Sequence, residues 1–269
     1  MAQEALTSSP VFTVEQRDAL RDRVLRLAKQ DERVVAGALV GSLAVDGSGD
    51  RYSDLDLTFG IDGRAAVAAV LDDWTRTLGD EIDAVRLVDL ERDPITYRVF
   101  LLADALQFDL SMSPAAEFRP AGPRFRLLFG ETAPAEPKAG KPPAAGGLFI
   151  PTPTNATDLF GWGVIYALHA RACIERGRIW QAEHYVGAVR DHALSLACLR
   201  EGRTAAQARG YDELSPETLA RFAGAHVGAV QAEPLRAALA AAVGALLREG
   251  AEARLPHAGS VAERLAELR

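Results

Sequence analysis

Apolar positions recur with two different periods along this chain, and the change between them divides it in two. After Thr13-Val14-Glu15-Gln16, which has the form of a helix-opening capping box, Leu20, Val24 and Leu27 follow at helical spacing to about Lys29. Val34–Val40 is an unbroken apolar run of strand length. Residues 46–50, with two glycines, read as a loop and residues 55–59 as a second strand. A helix is predicted over 62–78, with Val67, Val70, Leu71 and Trp74 on its apolar side. Residues 84–90 and 95–103 read as strands around a turn at Asp93-Pro94. A strand over 106–112 follows after only Asp104-Ala105, so the last two should form a hairpin, and Phe125–Phe129 reads as a final short strand.

Proline, glycine and alanine then take over at 133–147, the composition of a linker or mobile loop, which holds Lys138 and Lys141. Beyond it the pattern is helical: 158–176, 179–201, 216–223, 234–249 and 261–268. In the second of these, Ala182, Val186, Val189, Ala193 and Leu196 form a core stripe, while Glu183, Gly187 and Arg190 share another face. That polar stripe suits either a cleft wall or a solvated ion pair. Trp162, Tyr166, His169 and Cys173 form a further stripe, suited to core packing or to stacking on a base or sugar.

The chain has 269 residues, room for one large domain or two modest ones, with 48% apolar and 25% charged residues. Its formal charge of −7 argues against a protein built mainly to bind nucleic acid. Residues 1–150 hold 17 Lys/Arg against 24 Asp/Glu, and residues 151–269 hold 13 of each, so the whole excess lies in the first part. A phosphate site there must recruit metal ions or borrow cations from elsewhere. Two cysteines without CxxC spacing, no signal-like apolar start and no run of about twenty apolar residues together point to a cytoplasmic protein with reduced thiols and no membrane span.

Candidate chemistry concentrates in V-G-S-L-A-V-D-G-S-G-D-R-Y-S-D-L-D-L-T-F, residues 40–59. In a strand, Asp54 and Asp56 share one face and Leu55 and Leu57 take the other. Adjacent carboxylates raise one another's pKa unless a positive charge sits between them, and such hard oxygen ligands suit Mg²⁺. Gly41 lets the backbone approach a bulky anion, and the amide and hydroxyl of Ser42 can donate to phosphate. A site for two metals about 3.5–4 Å apart needs a third carboxylate. Asp109 supplies one within Leu106-Gln107-Phe108-Asp109-Leu110; the purely structural alternative is an ion pair with Arg98 across the hairpin.

Gly-Ser, a spacer, S-D-L-D-L and a later apolar-Asp-apolar strand together resemble the polymerase-β-type nucleotidyltransferase superfamily. The Gly-Ser to Asp-Leu segment is especially similar to the bacterial aminoglycoside and lincosamide nucleotidyltransferases. The resemblance is close over 34–112 and looser over the whole chain. It implies an α/β nucleotidyltransferase domain over residues 1–132, a mixed sheet with flanking helices. A linker over 133–150 and an all-α helical-bundle domain over 151–269 would follow. It further implies two Mg²⁺ ions on Asp54, Asp56 and Asp109, and ATP or another nucleoside triphosphate with its β- and γ-phosphates on Gly41 and Ser42. A nucleoside monophosphate, AMP from ATP, would pass to a hydroxyl of a small molecule with release of pyrophosphate. Ser53 is a candidate to orient Asp54, and Arg51 to approach the triphosphate.

In related drug-modifying enzymes the helical part supplies a general base and a phosphate-binding cation, for which Glu183 and Arg190 are the candidates. The chain departs from that pattern in having no lysine over 151–269. A cationic aminoglycoside acceptor would suit the acidic first part. Two other function classes remain open at this point: a regulatory nucleotide-binding protein acting through a protein partner, and an RNase-like pairing, to which Arg221…His226 and Arg178…His184 have the spacing. The chain is expected to act as a monomer or a homodimer.

Overall fold

The computed structural model describes residues 12–120, 122–134 and 155–268. Its first helix, α1 (Val14–Gln30), opens on the expected capping box. Gln16 Oε1 accepts from the Thr13 amide at 2.6 Å and Thr13 Oγ1 from the Gln16 amide at 3.2 Å. The strands are β1 (Val34–Val40), β2 (Leu55–Ile61), β3 (Val85–Arg92), β4 (Ile95–Leu101), β5 (Gln107–Pro114) and β6 (Phe125–Phe129). They make one mixed sheet in the order β3-β4-β5-β2-β1-β6, in which β2 and β5 alone are parallel and β4–β5 is the expected hairpin.

Period-two alternation sends Leu55, Leu57 and Phe59 of β2 and Phe108, Leu110 and Met112 of β5 into one core. There they meet Leu20 and Val24 of α1 and the apolar side of α2 (Val67–Ile82). Trp74 of α2 packs 5.2 Å from the Phe59 ring, centroid to centroid, and donates its indole N–H to Asp31 at 2.9 Å. Helix α2 starts five residues later than periodicity predicts. Asp62 Oδ1 accepts the Arg64 amide at 2.9 Å, a local bond that holds 62–66 as a turn, with Gly63 inside it.

All five C-terminal helices form: α3 (Ala156–Glu175), α4 (Ile179–Arg200), α5 (Pro216–Ala220), α6 (Ala232–Glu252) and α7 (Ala258–Arg264). Their core does not stand apart from the sheet, because it contains Val85, Leu87, Val88, Val99 and Leu101 of β3 and β4. Helix α3 reaches β3 at Gly161, where a Cβ would lie 2.6 Å from the Leu87 carbonyl oxygen. Cys173 and Cys198 are buried and unbridged. Most of the expected linker, with Lys138 and Lys141, lies outside the described residues. No described helix is long and apolar enough to cross a membrane.

Arg98 does not pair with Asp109. It is buried between β4 and α2, and its guanidinium donates to both oxygens of Asp89 at 2.7 and 2.8 Å, to Asp72 at 3.0 Å and to Thr75 Oγ1 at 2.7 Å. Register explains the mismatch, since Arg98 stands opposite Leu110 and Val99 opposite Asp109. Removing one member of a buried ionic network strands the rest, so Arg98→Ala should cost about 3 kcal/mol in urea unfolding. A loss under about 1 kcal/mol would show that water or a neighbour replaces the guanidinium at little cost.

Candidate functional site

The antiparallel run of β1 against β2 brings the end of β1 beside the starts of β2 and β5, and there the acidic residues meet. Asp56 and Asp109 stand in register on the parallel pair, on the face opposite the apolar residues that pack on α1 and α2. Asp54 lies one residue ahead of β2. One oxygen from each of the three carboxylates falls within 4.8 Å of the others, the only such cluster of metal-ligating side chains among the described residues. Burial, with Asp54 and Asp109 adding repulsion, pushes Asp56 well above the usual carboxylate range. Burial and the Asp54 charge raise Asp109 to about 7, against a hydrogen bond from Gln107 Nε2 at 2.9 Å that works the other way.

Gly41 follows β1 in the left-handed region at φ +70°, and a Cβ there would lie 2.2 Å from Asp56 Oδ2. Only glycine lets the turn pass this close to the carboxylate. The next residue, Ser42, has a buried hydroxyl with no hydrogen-bond partner. A buried donor left unmade is costly, and an anion or metal-bound oxygen in the cleft would satisfy it. Oxygen-only donors, mutual repulsion and the orphaned hydroxyl together fit Mg²⁺ with a phosphate group.

The loop before Asp54 is held from two sides. Arg17, almost fully buried in α1, donates to the carbonyls of Asp50 and Ser53 at 2.8 and 2.9 Å. Arg176, at the end of α3, grips both carboxylate oxygens of Asp50 at 2.6 and 2.8 Å and holds that carboxyl at about 2. Ser53 differs from expectation: its hydroxyl donates to Asp50 Oδ1 at 3.1 Å and accepts the Asp50 amide at 3.0 Å, so it braces the loop and not Asp54. Arg51 lines the cleft with its guanidinium 4.8 Å from the Tyr52 ring centroid.

A cleft of about 590 Å³ opens over these groups. Its far wall is α3, through His169, Cys173 and Arg176, and the start of α4, through Gln181 and Tyr185. Burial lowers His169, the Asp54 charge opposing and Arg176 assisting, and its ring lies edge-on to Tyr185 at 5.2 Å. Trp162 and Tyr166 of the same stripe lie tilted against one another, centroids 5.9 Å apart, and pack on the helical core.

Glu183 and Arg190 do not line the cleft. Gln181 and Tyr185 mark the face that α4 turns to it, and Arg190, half a turn round, donates to the adjacent Asp191 at 2.9 Å. Arg221 is taken up by Glu217 and Glu252, so one of the two Arg…His spacings has no free cation. The sequence reading passed over Arg17 and Arg176. Arg17 interrupts the apolar stripe it shares with Leu20, Val24 and Ala28, and a cation on a buried stripe is the visible signal.

Because Asp56 and Asp109 are raised, the folded metal-free protein keeps protons that the unfolded chain releases above about pH 4. Stability should therefore fall as pH rises toward and past 7. In EDTA the melting temperature of Asp109→Asn should exceed that of the natural chain, by a margin that widens from pH 5 to 8 and closes with MgCl₂. Comparing the two chains removes the opposite contribution of His169 and His192, which burial holds low. Equal melting temperatures at pH 8 in EDTA would mean that the carboxylates do not strain the fold.

No protein-family model matches the chain, and no curated protein matches it. Among solved structures that are similar at a distance are the following three. The aminoglycoside 6-adenyltransferase from Bacillus subtilis aligns over 91% of this chain and 90% of its own, at 14% identity and a TM-score of 0.31. A chain of the GLD-2/RNP-8 complex aligns over 87% and 66%, at 13% identity and 0.30. The CD-NTase CdnG of Bradyrhizobium diazoefficiens, in complex with GTP, aligns over 90% and 74%, at 14% identity and 0.27. Likeness this remote leaves the cleft's own side chains to support any functional reading.

Proposed function

We propose that the chain is a Mg²⁺-dependent nucleotidyltransferase that moves a nucleoside monophosphate, AMP from ATP, onto a hydroxyl of a small molecule. The observation that supports this most is the convergence of Asp54, Asp56 and Asp109 beside the Gly41–Ser42 turn. When bound on the three carboxylates, Mg²⁺ would neutralise the triphosphate and lower the pKa of the acceptor hydroxyl.

The chain's own residues then have separable tasks. Gly41 brings backbone close to the phosphates, and the unpartnered Ser42 hydroxyl donates to one of their oxygens. Gln107 fixes one oxygen of Asp109 and leaves the second to the cluster. Arg17 and Arg176 hold the loop that presents Asp54. The acceptor oxygen bonds to the α-phosphorus, the α–β bond breaks, and pyrophosphate leaves with the electron pair. The hydroxyl proton goes to a base in the cleft, for which the lining offers His169, kept neutral by burial. Positioning and charge neutralisation account for the rate, as in phosphoryl transfer generally.

Asp54→Asn and Asp56→Asn should each lower Mg²⁺-dependent pyrophosphate release from ATP by about 10³-fold, a loss of about 4 kcal/mol, with the fold retained. Turnover within a few-fold of the natural chain in either variant would remove the metal assignment. Ser42→Ala deletes one hydrogen bond to a charged group and should raise the KM for ATP about tenfold. An unchanged KM would take Ser42 out of the nucleotide site.

A further inference from the structure

The charges that line the cleft are of two kinds with different duties. Outside the metal-binding carboxylates, Asp50 is the only acidic lining residue among those described, and Arg176 occupies both of its oxygens. Against it stand five arginines: Arg51, Arg124, Arg171, Arg176 and Arg178. Arg124 precedes Phe125, which pairs with Val40, so it flanks the Gly41–Ser42 turn where the phosphates would lie. Arg178 sits on the opposite wall at the start of α4, beside Gln181 and exposed, and neither it nor Arg124 forms an ion pair among the described residues.

An acceptor with several ammonium groups needs carboxylates to replace the water it loses on entering a cleft. Among the described residues, the carboxylates that line the cleft are all taken up in this reading, Asp54 and Asp56 by metal and Asp50 by Arg176, while cations line the remaining space. Like charges brought together discriminate strongly against the wrong partner. We propose that the acceptor hydroxyl belongs to a small molecule bearing an anionic group, a phosphate or a carboxylate, which Arg178 recognises. This rests on the transferase reading above and departs from the cationic aminoglycoside that the sequence resemblance favours.

The test measures pyrophosphate release by the full chain with ATP and MgCl₂, alongside calorimetric binding of a nonhydrolysable ATP analogue. Hydroxyl probes are glucose, glucose 6-phosphate, gluconate, glycerol, glycerol 3-phosphate, glycerate and kanamycin. At least one anionic probe should exceed its neutral parent about tenfold or more in kcat/KM, with kanamycin at or below the neutral compounds. Arg178→Gln should abolish that preference through the KM of the anionic probe, while the KM for ATP stays within about twofold. Kanamycin outperforming every anionic probe would overturn the proposal, as would parity of anionic and neutral probes or a preference that survives Arg178→Gln. Absent Mg²⁺-dependent binding of the nucleotide analogue would instead sink the transferase reading itself, and this proposal with it.

Discussion

Three half-buried carboxylates within reach of one another are the constraint to which the rest of this structure answers. Like charges at such range, taken out of water, destabilise any fold that does not supply a countercharge. The protein tolerates them at the one place where a parallel strand pair puts Asp56 and Asp109 in register and an antiparallel neighbour ends in glycine. The cost shows in the raised Asp56 and Asp109 and in a serine hydroxyl left without a partner. Structural carboxylates elsewhere in the chain do the opposite. Asp31, Asp50 and Asp62 are each held at about 2 by an arginine. Arginines are plentiful in this protein, yet among the described residues none forms an ion pair with the triad, which marks the cluster as a candidate functional site.

The helical region belongs to the site as much as to its own core. One side of α3 packs with α4 and α6, and its Gly161 lies against β3. Its last two turns supply His169, Cys173 and Arg176 to the cleft. Arg176 then crosses to Asp50, four residues before Asp54. A shift of α3 against the sheet therefore moves the loop that presents Asp54 directly, through a bidentate pair and the Arg17 bonds on its other side. Continuity of the helical core with β3 and β4 restrains such a shift.

Much of this was legible in the sequence because sheets impose strict alternation. Leu55, Leu57, Phe108 and Leu110 dictate where Asp56 and Asp109 must point, and β1 and β6 have the bounds their apolar runs predict. Helix faces were harder to phase. Helix α4 is apolar or small around most of its circumference, so Glu183 and Arg190 formed a plausible stripe on the wrong side, while Gln181 and Tyr185 drew no attention. The start of α2 was lost to a side-chain-to-backbone bond at Asp62 that periodicity does not register. The bracing of the Asp50–Ser53 loop by Arg17 and Arg176 joins residues 33 to 126 positions apart. No local pattern encodes a partner at that separation.

Charge at the level of the whole chain and charge at the level of the cleft point in opposite directions, and the local one governs recognition. The acidic excess over residues 1–150 invites a cationic acceptor only if those carboxylates face it. Asp18, Asp22, Glu81 and Asp73 instead pair with Arg21, Arg23, Arg33 and Arg76, and none of these residues lines the cleft. At an ionic strength near 0.15 M their field is screened over about 8 Å. A molecule entering the cleft would meet the arginines and carboxylates that line it and not the surface total. The net charge of −7 is therefore a property of the whole surface, while the arginine-lined wall is what a molecule in the cleft would face.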